Sequence, residues 1–281
     1  MLKSQLYLML QKKSFLITFS IMMVISSFLP TIYFFLSYLG FFQRSGQDLS
    51  LFLEEVKNPY LFYAYSDFTF YLYYFIPIIL ILPFPLSYCI EKKCGYSSLL
   101  VSRGGKKKYI ISKSVCCMIG GFVCFFFPAI INILMNYFII SEATDTYCLS
   151  SSQISSAILT GISHGKTVSG EWIYCIEHPL AATFKSALLI SVFAGVCSLT
   201  IYTFSLYLQK RPYLAAFPLI IILLTFYIFD TKGQAPSINP LMYACLGYRR
   251  CYSIGYYICF TLISICINYA FIGVRTRKDI V

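Results

Sequence analysis

The chain has few charged residues: Asp, Glu, Lys and Arg make up only 12% of its 281 positions. Soluble domains carry about 25%, so this low content excludes an ordinary soluble protein. Apolar residues account for 58% of the chain, and they gather in runs long enough to cross a bilayer, which takes about 20 residues in a helix. The composition therefore predicts an all-α integral membrane protein.

Histidines and acidic residues are also scarce, with two His and 11 Asp or Glu. Both histidines, His164 and His178, lie in one polar segment between apolar runs, and two ligands without a third are weak evidence for a metal site. An intramembrane hydrolase or acyltransferase needs a base or a metal ligand within its spans. A proton- or sodium-coupled carrier usually buries an ionisable residue at the midplane. We therefore predict no catalytic residue, no metal and no enzymatic activity.

A complete phosphate-binding loop is missing as well. The segment 161–167 (GISHGKT) has three residues between its glycines, whereas a P-loop has four, so we expect no nucleotide site in this chain. We expect no cleavable signal peptide of ordinary form either. The first apolar run, 15–39, is too long for a signal-peptide core and lacks a clear small-residue cleavage site.

Six apolar runs predict one transmembrane domain, 1–281, with six membrane-spanning helices. The predicted spans are about 15–39, 70–90, 114–140, 185–208, 212–229 and 254–274, preceded by an amphipathic helix at 2–13 and interrupted by a long outer loop at 141–183. Fifteen of the 22 Lys and Arg residues fall in the two terminal segments and in the loops after the second and fourth spans. Because positive charge is retained in the cytoplasm, we predict that both termini are cytoplasmic. This topology also accounts for the net charge of +11 without nucleic acid as a partner.

Small residues recur in the fourth predicted span. Ala187, Ser191 and Gly195 follow one another at intervals of four, which places them on one face of a helix. Such a stripe lets another helix approach closely.

The 12 cysteines form two groups. One group lies in or at the edge of the spans, where cysteine packs as a small apolar residue: Cys89, Cys116, Cys117, Cys124, Cys197, Cys259 and Cys266. Cys94 is predicted to face the cytoplasm. The other group, Cys148, Cys175, Cys245 and Cys251, lies in predicted outer segments, where disulfides persist. Four cysteines allow three pairings; Cys148–Cys175 with Cys245–Cys251 is the most local, and four free or otherwise paired thiols are the alternative.

The longest strongly charged stretch, 88–113, separates the second and third predicted spans and holds a single acid, Glu91. Its residues Tyr96, Leu99, Leu100 and Arg103 have the spacing of one helix face. A helix of about eight residues is only about 12 Å long, too short to span a membrane. The pattern favours a short helix presented to a partner on the cytoplasmic side; the alternative is an ordinary basic inside loop.

Together, the six spans, the N-terminal amphipathic segment and this basic stretch resemble the permease subunits of type-2 ABC exporters. The residues of the stretch that carry the resemblance are Glu91, Gly95, Leu99, Leu100, Ser102, Arg103 and Lys113. The segment 239–243 (NPLMY) also looks like the family's outer N/S-P-L-x-Y segment. The chain departs from the family in its long, cysteine-bearing loop at 141–183, which is often shorter in the family.

The resemblance implies an interfacial elbow helix at 2–13 and a coupling helix that docks on a cytoplasmic P-loop ATPase. ATP and Mg would bind to that partner, and this chain would bind no cofactor directly. The implied coupling residues are Glu91, Gly95, Tyr96, Leu99, Leu100, Arg103, Lys113, Lys210 and Arg211.

The resemblance further implies a location in the plasma membrane and a second permease subunit, either an identical copy or a sister chain. The expected cargo is a peptide or another amphipathic or hydrophobic molecule, moved outward along a path lined by Pro77, Pro83, Pro85 and Pro218. The alternative function is an ATPase-independent membrane carrier or a binding or immunity protein, which would tolerate changes in the basic stretch.

Overall fold

The computed structural model describes residues 2–25, 79–80, 87–95, 101–102, 105–144, 179–208, 211–231, 240 and 254–278. Every regular element in these residues is helical, which confirms the predicted all-α class for this part of the chain. The elements are α1 (Leu2–Gln11), α2 (Lys13–Met23), α3 (Ser87–Lys93), α4 (Lys106–Thr144), α5 (Pro179–Tyr207), a 3-10 helix (Pro212–Ala216), α6 (Phe217–Thr231) and α7 (Ile254–Lys278).

Three of these helices are long and apolar enough to cross a membrane: Lys106–Met135 in α4, Thr183–Tyr207 in α5 and Ile254–Arg277 in α7. Two shorter apolar helices, Lys13–Met23 and Tyr213–Phe226, overlap the first and fifth predicted spans. These helices fit an all-α membrane protein. Most of the second predicted span lies outside the described residues, so the count of six spans stays a prediction.

The beginning of α4 differs from the sequence-based boundary. The third span was expected to start at about residue 114, but the helix begins at Lys106 and includes all three lysines of the 106–108 cluster. Gly105, just before it, has a φ of 78°, a left-handed conformation that glycine adopts without steric cost. The long loop expected at 141–183 is also shorter at both ends, since α4 continues to Thr144 and α5 begins at Pro179.

The central helix of the described bundle is α5, which contacts α3, α4, the 3-10 helix, α6 and α7. In the apolar stretch of α5, 78% of the residues are buried, compared with 22% in α7. Apolar residues on α7 are therefore largely exposed, as expected for a face toward lipid. Cys259 and Cys266 are among the exposed residues of α7, so they do not have the packing role expected from the sequence, whereas the other five cysteines of that group are buried.

The main chains of α4 and α5 touch at two glycines. A Cβ atom added to Gly195 would lie 2.8 Å from the carbonyl oxygen of Met118, and one added to Gly121 would lie 2.8 Å from that of Ala194. The small-residue stripe of α5 thus faces α4 at Gly195. Backbone atoms cannot move aside cheaply, so the two helices can approach this closely only where there is no side chain.

Hydrogen bonds join α7 to α5. The Asn268 side-chain amide donates to the Thr200 hydroxyl at 3.0 Å, and the Tyr207 hydroxyl donates to the Phe271 carbonyl at 2.7 Å. Apolar surface alone does not drive helices together in lipid, so interhelical hydrogen bonds of this kind contribute to association. They fix α7 beside α5 while leaving its apolar face outward.

We predict that Gly195→Ala and Gly273→Ala change thermal stability in opposite directions. The added methyl group at Gly195 meets a carbonyl oxygen, and overpacking of this kind costs about 1–3 kcal/mol. Gly273 has nothing within 4 Å of an added Cβ, and Ala is favoured over Gly in a helix by about 1 kcal/mol. Thermal unfolding of the purified variants in one detergent measures both. A stable Gly195→Ala variant would contradict the close α4–α5 contact.

Candidate functional site

Glu91 lies at the centre of a buried group of charged and polar side chains. Its carboxylate oxygen Oε1 is 2.9 Å from Lys12 Nζ. Its other oxygen, Oε2, accepts hydrogen bonds from Tyr109 Oη and Lys113 Nζ. We name these four residues, Lys12, Glu91, Tyr109 and Lys113, the Glu91 cluster. Glu91 is only 8% exposed, and Lys113 and Tyr109 are fully buried.

Three separate segments supply the cluster. Lys12 is the extended residue between α1 and α2, Glu91 lies in α3, and Tyr109 and Lys113 lie four residues apart on one face of α4. Gly95, with a φ of 69°, follows the end of α3, where a left-handed glycine commonly closes a helix. The cluster therefore ties together the N-terminal helices and both sides of the segment 96–104.

Aromatic rings enclose the cluster. The Tyr88 ring lies 6.3 Å from the Tyr109 ring and 6.3 Å from the Tyr202 ring of α5. The Tyr202 hydroxyl donates to the Ile110 carbonyl at 3.3 Å. Lys113 Nζ is 5.6 Å from the centre of the Tyr109 ring, within the range of a cation–π contact. These rings exclude water and join α3, α4 and α5 around the ion pairs.

The electrostatics of the cluster keep Glu91 ionised. Burial alone raises the pKa of a carboxyl group, but the positive charge of Lys113 and the hydrogen bonds from Lys113, Tyr109 and Lys12 lower it by more. The net result is that the pKa of Glu91 lies below its ordinary value. A carboxylate that stays ionised can hold two lysines at neutral pH.

This arrangement is suited to transmitting movement. Ion pairs with several hydrogen bonds fix the relative positions of the segments that carry them, and removing one partner leaves an uncompensated buried charge. Glu91 precedes the segment 96–104 in the chain and Tyr109 follows it, so the cluster joins the two helices on either side of that segment in the sequence. Lys12 extends the connection to α1 and α2.

The structure brings together Glu91 and Lys113, two of the predicted coupling residues. Gly95 lies just beyond α3, Arg211 is exposed between α5 and the 3-10 helix, and Pro218 is partly exposed in the first turn of α6. The other predicted site residues lie outside the described part of the chain: Tyr96, Leu99, Leu100, Arg103, Lys210, Pro77, Pro83, Pro85, Cys148, Cys175, Cys245 and Cys251.

Sequence reasoning missed two members of the cluster, Lys12 and Tyr109. The spacing of Tyr109 and Lys113 is a signal that was available, since residues four apart share a helix face and Glu91 is the only acid in the stretch 88–113. No local pattern points to Lys12, because it is 79 residues away from Glu91 in the chain.

We predict that the stabilising effect of Glu91 disappears in acid. Because the pKa of Glu91 is lower in the folded state than in the unfolded state, where a glutamate titrates near about 4.3, the ionised group stabilises the fold above that pH. The contribution is lost as the pH falls through the folded-state pKa. Thermal unfolding of wild type and Glu91→Gln at pH values from 7 to 3 measures it. The difference between the two melting temperatures should shrink as the pH falls below the unfolded-state pKa of about 4.3 and vanish below the folded-state pKa; a difference independent of pH would contradict the ion-pair assignment.

We also predict non-additive effects of Glu91→Leu and Lys113→Met. Glu91→Leu leaves Lys113 buried and uncompensated, which costs about 3–5 kcal/mol, whereas Lys113→Met leaves Glu91 paired with Lys12. The double variant should be less destabilised than the sum of the single variants, because neither charge of the pair remains. Chemical or thermal unfolding gives the values, with Lys93→Gln as the control, since Lys93 is exposed on the same helix. Additive effects would show that Glu91 and Lys113 are not coupled.

Comparison of the chain with protein-family models, with curated proteins and with solved structures finds no match in any of the three.

Proposed function

We propose that this chain is the membrane-spanning permease subunit of an ATP-driven exporter. In this proposal it has six spans with both termini in the cytoplasm, lies in the plasma membrane, and works with a separate cytoplasmic P-loop ATPase that binds ATP and Mg. The observation that carries the proposal is the Glu91 cluster. It clamps both sides of the segment 96–104, the segment whose sequence resembles a coupling helix.

The cluster offers a path for force from the ATPase into the membrane. A push on the segment 96–104 would move α3 and α4 as one body, because Glu91 joins them through Tyr109 and Lys113. The close contact of α4 with α5 at Gly121 and Gly195 would carry the movement into the central helix. Coupling between distant sites travels through packed, hydrogen-bonded networks of this kind when they have two arrangements.

A second contact with the ATPase is proposed at the end of α5. Arg211 is exposed there, and Lys210 precedes it in the sequence. The Arg275 guanidinium lies 5.9 Å from the Tyr207 ring, which places the end of α5 beside the end of α7. A cationic surface near these helix ends would complement an acidic surface on a partner.

The cargo and the second subunit belong to the same proposal. Two permease chains, identical or related, would form an outward path between them, with Pro77, Pro83, Pro85 and Pro218 near its lining. The apolar and aromatic composition of the chain favours a peptide or another amphipathic or hydrophobic cargo over a small ion.

One observation favours the second candidate, an ATPase-independent carrier or binding protein. Lys113 is a fully buried cation within an apolar helix, and ionisable residues in membrane spans often serve ion or substrate transfer. Lys113 follows the start of α4 by seven residues, about 10 Å along the helix axis, so it lies near one end rather than at the middle. Its contacts with Glu91 and Tyr109 suit a fixed structural position better than a transfer site.

The proposed function predicts that a P-loop ATPase co-purifies with the chain. The chain is purified in mild detergent from its native membrane beside two variants, Leu99→Asp/Leu100→Asp and Lys93→Gln, and mass spectrometry identifies the bound proteins. The aspartates should disrupt an apolar docking surface and remove the ATPase, while Lys93→Gln should retain it.

Absence of a P-loop ATPase from all three samples, with every variant inserted in the membrane at normal levels, would favour the carrier or binding protein instead. Equal recovery of the ATPase with the Leu99→Asp/Leu100→Asp variant would leave an exporter that couples through another surface.

A further inference from the structure

A basic cleft lies between the start of α4 and the end of α7. It has a volume of about 250 Å³ and is lined by Lys106, Lys107, Gly273, Thr276 and Arg277. A water molecule occupies about 30 Å³ in the liquid, so the cleft has room for a phosphate group and the atoms next to it. It is separate from the Glu91 cluster, none of whose residues line it.

Of the described residues that line the cleft, three carry cationic side chains and none is acidic. Lys106 and Lys107 come from one helix and Arg277 from another, so the tertiary fold, and not only a run in the sequence, brings the charges together. The Thr276 hydroxyl donates to the Gly273 carbonyl at 2.8 Å. Lysine and arginine are the side chains that bind phosphate groups most strongly. The chemistry of the cleft therefore suits a phosphate.

Apolar residues continue from the cleft along both helices. Ile111 follows Lys107 by four residues on α4 and is 37% exposed, and Val274 precedes Arg277 by three residues on α7 and is 49% exposed. Residues three or four apart lie on one face of a helix. Gly273 also lines the cleft; it has no side chain, and an added Cβ would meet nothing within 4 Å. A molecule that binds here can have a charged end and an apolar tail.

We propose that this cleft binds the phosphate group of an anionic membrane lipid, with the acyl chains lying along the apolar surface that includes Ile111 and Val274. Both helices that form it are long and apolar enough to cross a membrane, so the cleft lies where a bilayer presents its headgroups. The proposal does not depend on the exporter function, because a lipid bound here would join α4 to α7 in a carrier or binding protein as well.

The test compares two variants of equal charge. Lys106→Gln/Lys107→Gln/Arg277→Gln removes three cations from the cleft, and Lys3→Gln/Lys13→Gln/Lys93→Gln removes three exposed cations elsewhere. Native mass spectrometry, with phosphatidylglycerol added to the delipidated full-length chain, measures binding of the lipid. We expect at least about a tenfold loss of affinity for the cleft variant, from the contribution of each cation to anionic-lipid binding, and little change for the control. Equal losses would overturn the proposal, since they indicate general attraction to positive charge.

A third variant separates the shape of the cleft from its charge. Gly273→Leu leaves all three cations in place but puts a side chain into the cleft. Because nothing lies within 4 Å of an added Cβ at this position, the variant should fold as stably as wild type. It should bind phosphatidylglycerol about tenfold more weakly. Unchanged binding by this variant would overturn the placement of the lipid.

The last measurement distinguishes the two sources of a phosphate group. Inorganic phosphate at millimolar concentration should not displace the lipid, because it gains nothing from the apolar surface. Displacement at that concentration would overturn the lipid assignment and point to a soluble phosphate compound as the ligand.

Discussion

The buried carboxylate of Glu91 constrains the described structure more than any other group. An ionised carboxyl group is costly to remove from water unless cations and hydrogen-bond donors replace the solvent. Here Lys12, Tyr109 and Lys113 donate hydrogen bonds to the carboxylate. Lys12 lies between α1 and α2, whereas Tyr109 and Lys113 lie on α4. The break between α1 and α2, the end of α3 and the first two turns of α4 are consequently held in one arrangement. Moving any of these segments alone would break at least one hydrogen bond of the Glu91 cluster.

The contact between α4 and α5 has a different physical basis. It relies on the absence of side chains at Gly121 and Gly195, which allows the main chains to touch. Dispersion contacts and small-residue packing are the main sources of helix association in lipid, since burial from water is not available there. The described part of the bundle therefore combines an ionic clamp at one end with tight helix packing farther along. These contacts favour movement of the helices as one body, which is the mechanical property that the proposed function requires.

The first two turns of α4 supply residues to both the Glu91 cluster and the cleft. Lys107 and Tyr109 are two residues apart, about 200° around the helix, so they point to different sides. Tyr109 faces the Glu91 cluster, while Lys107 lines the cleft against α7. A lipid in the cleft would stabilise the position of α7 beside the end of the clamp. The outward apolar face of α7, with its exposed cysteines, remains available for contact with lipid chains.

The sequence by itself determined the class of the protein. Low charge and long apolar runs are sums over many residues, and they predicted an all-helical protein with membrane-spanning helices without any knowledge of contacts. The small-residue interval at Gly195 and the importance of Glu91 and Lys113 could also be inferred, because helix periodicity and a lone acid in a basic stretch are local signals. The start of α4 could not be inferred from the sequence. A glycine such as Gly105 is equally compatible with the end of one helix and with the residue before the next.

Only the tertiary structure decided which charges meet. Lys12 pairs with an acid 79 residues away, and Arg277 lines the same cleft as Lys107, which is 170 residues earlier in the chain. The periodicity of a sequence reports only which residues share a helix face. It does not predict contacts between distant residues, because these depend on how the intervening helices pack. The same holds for Cys259 and Cys266: the sequence placed them in a span, but whether a span residue packs inward or faces lipid depends on which face of α7 meets α5. The composition of a helix predicts whether it lies in a membrane, and the helices that pack against it determine which of its faces is buried.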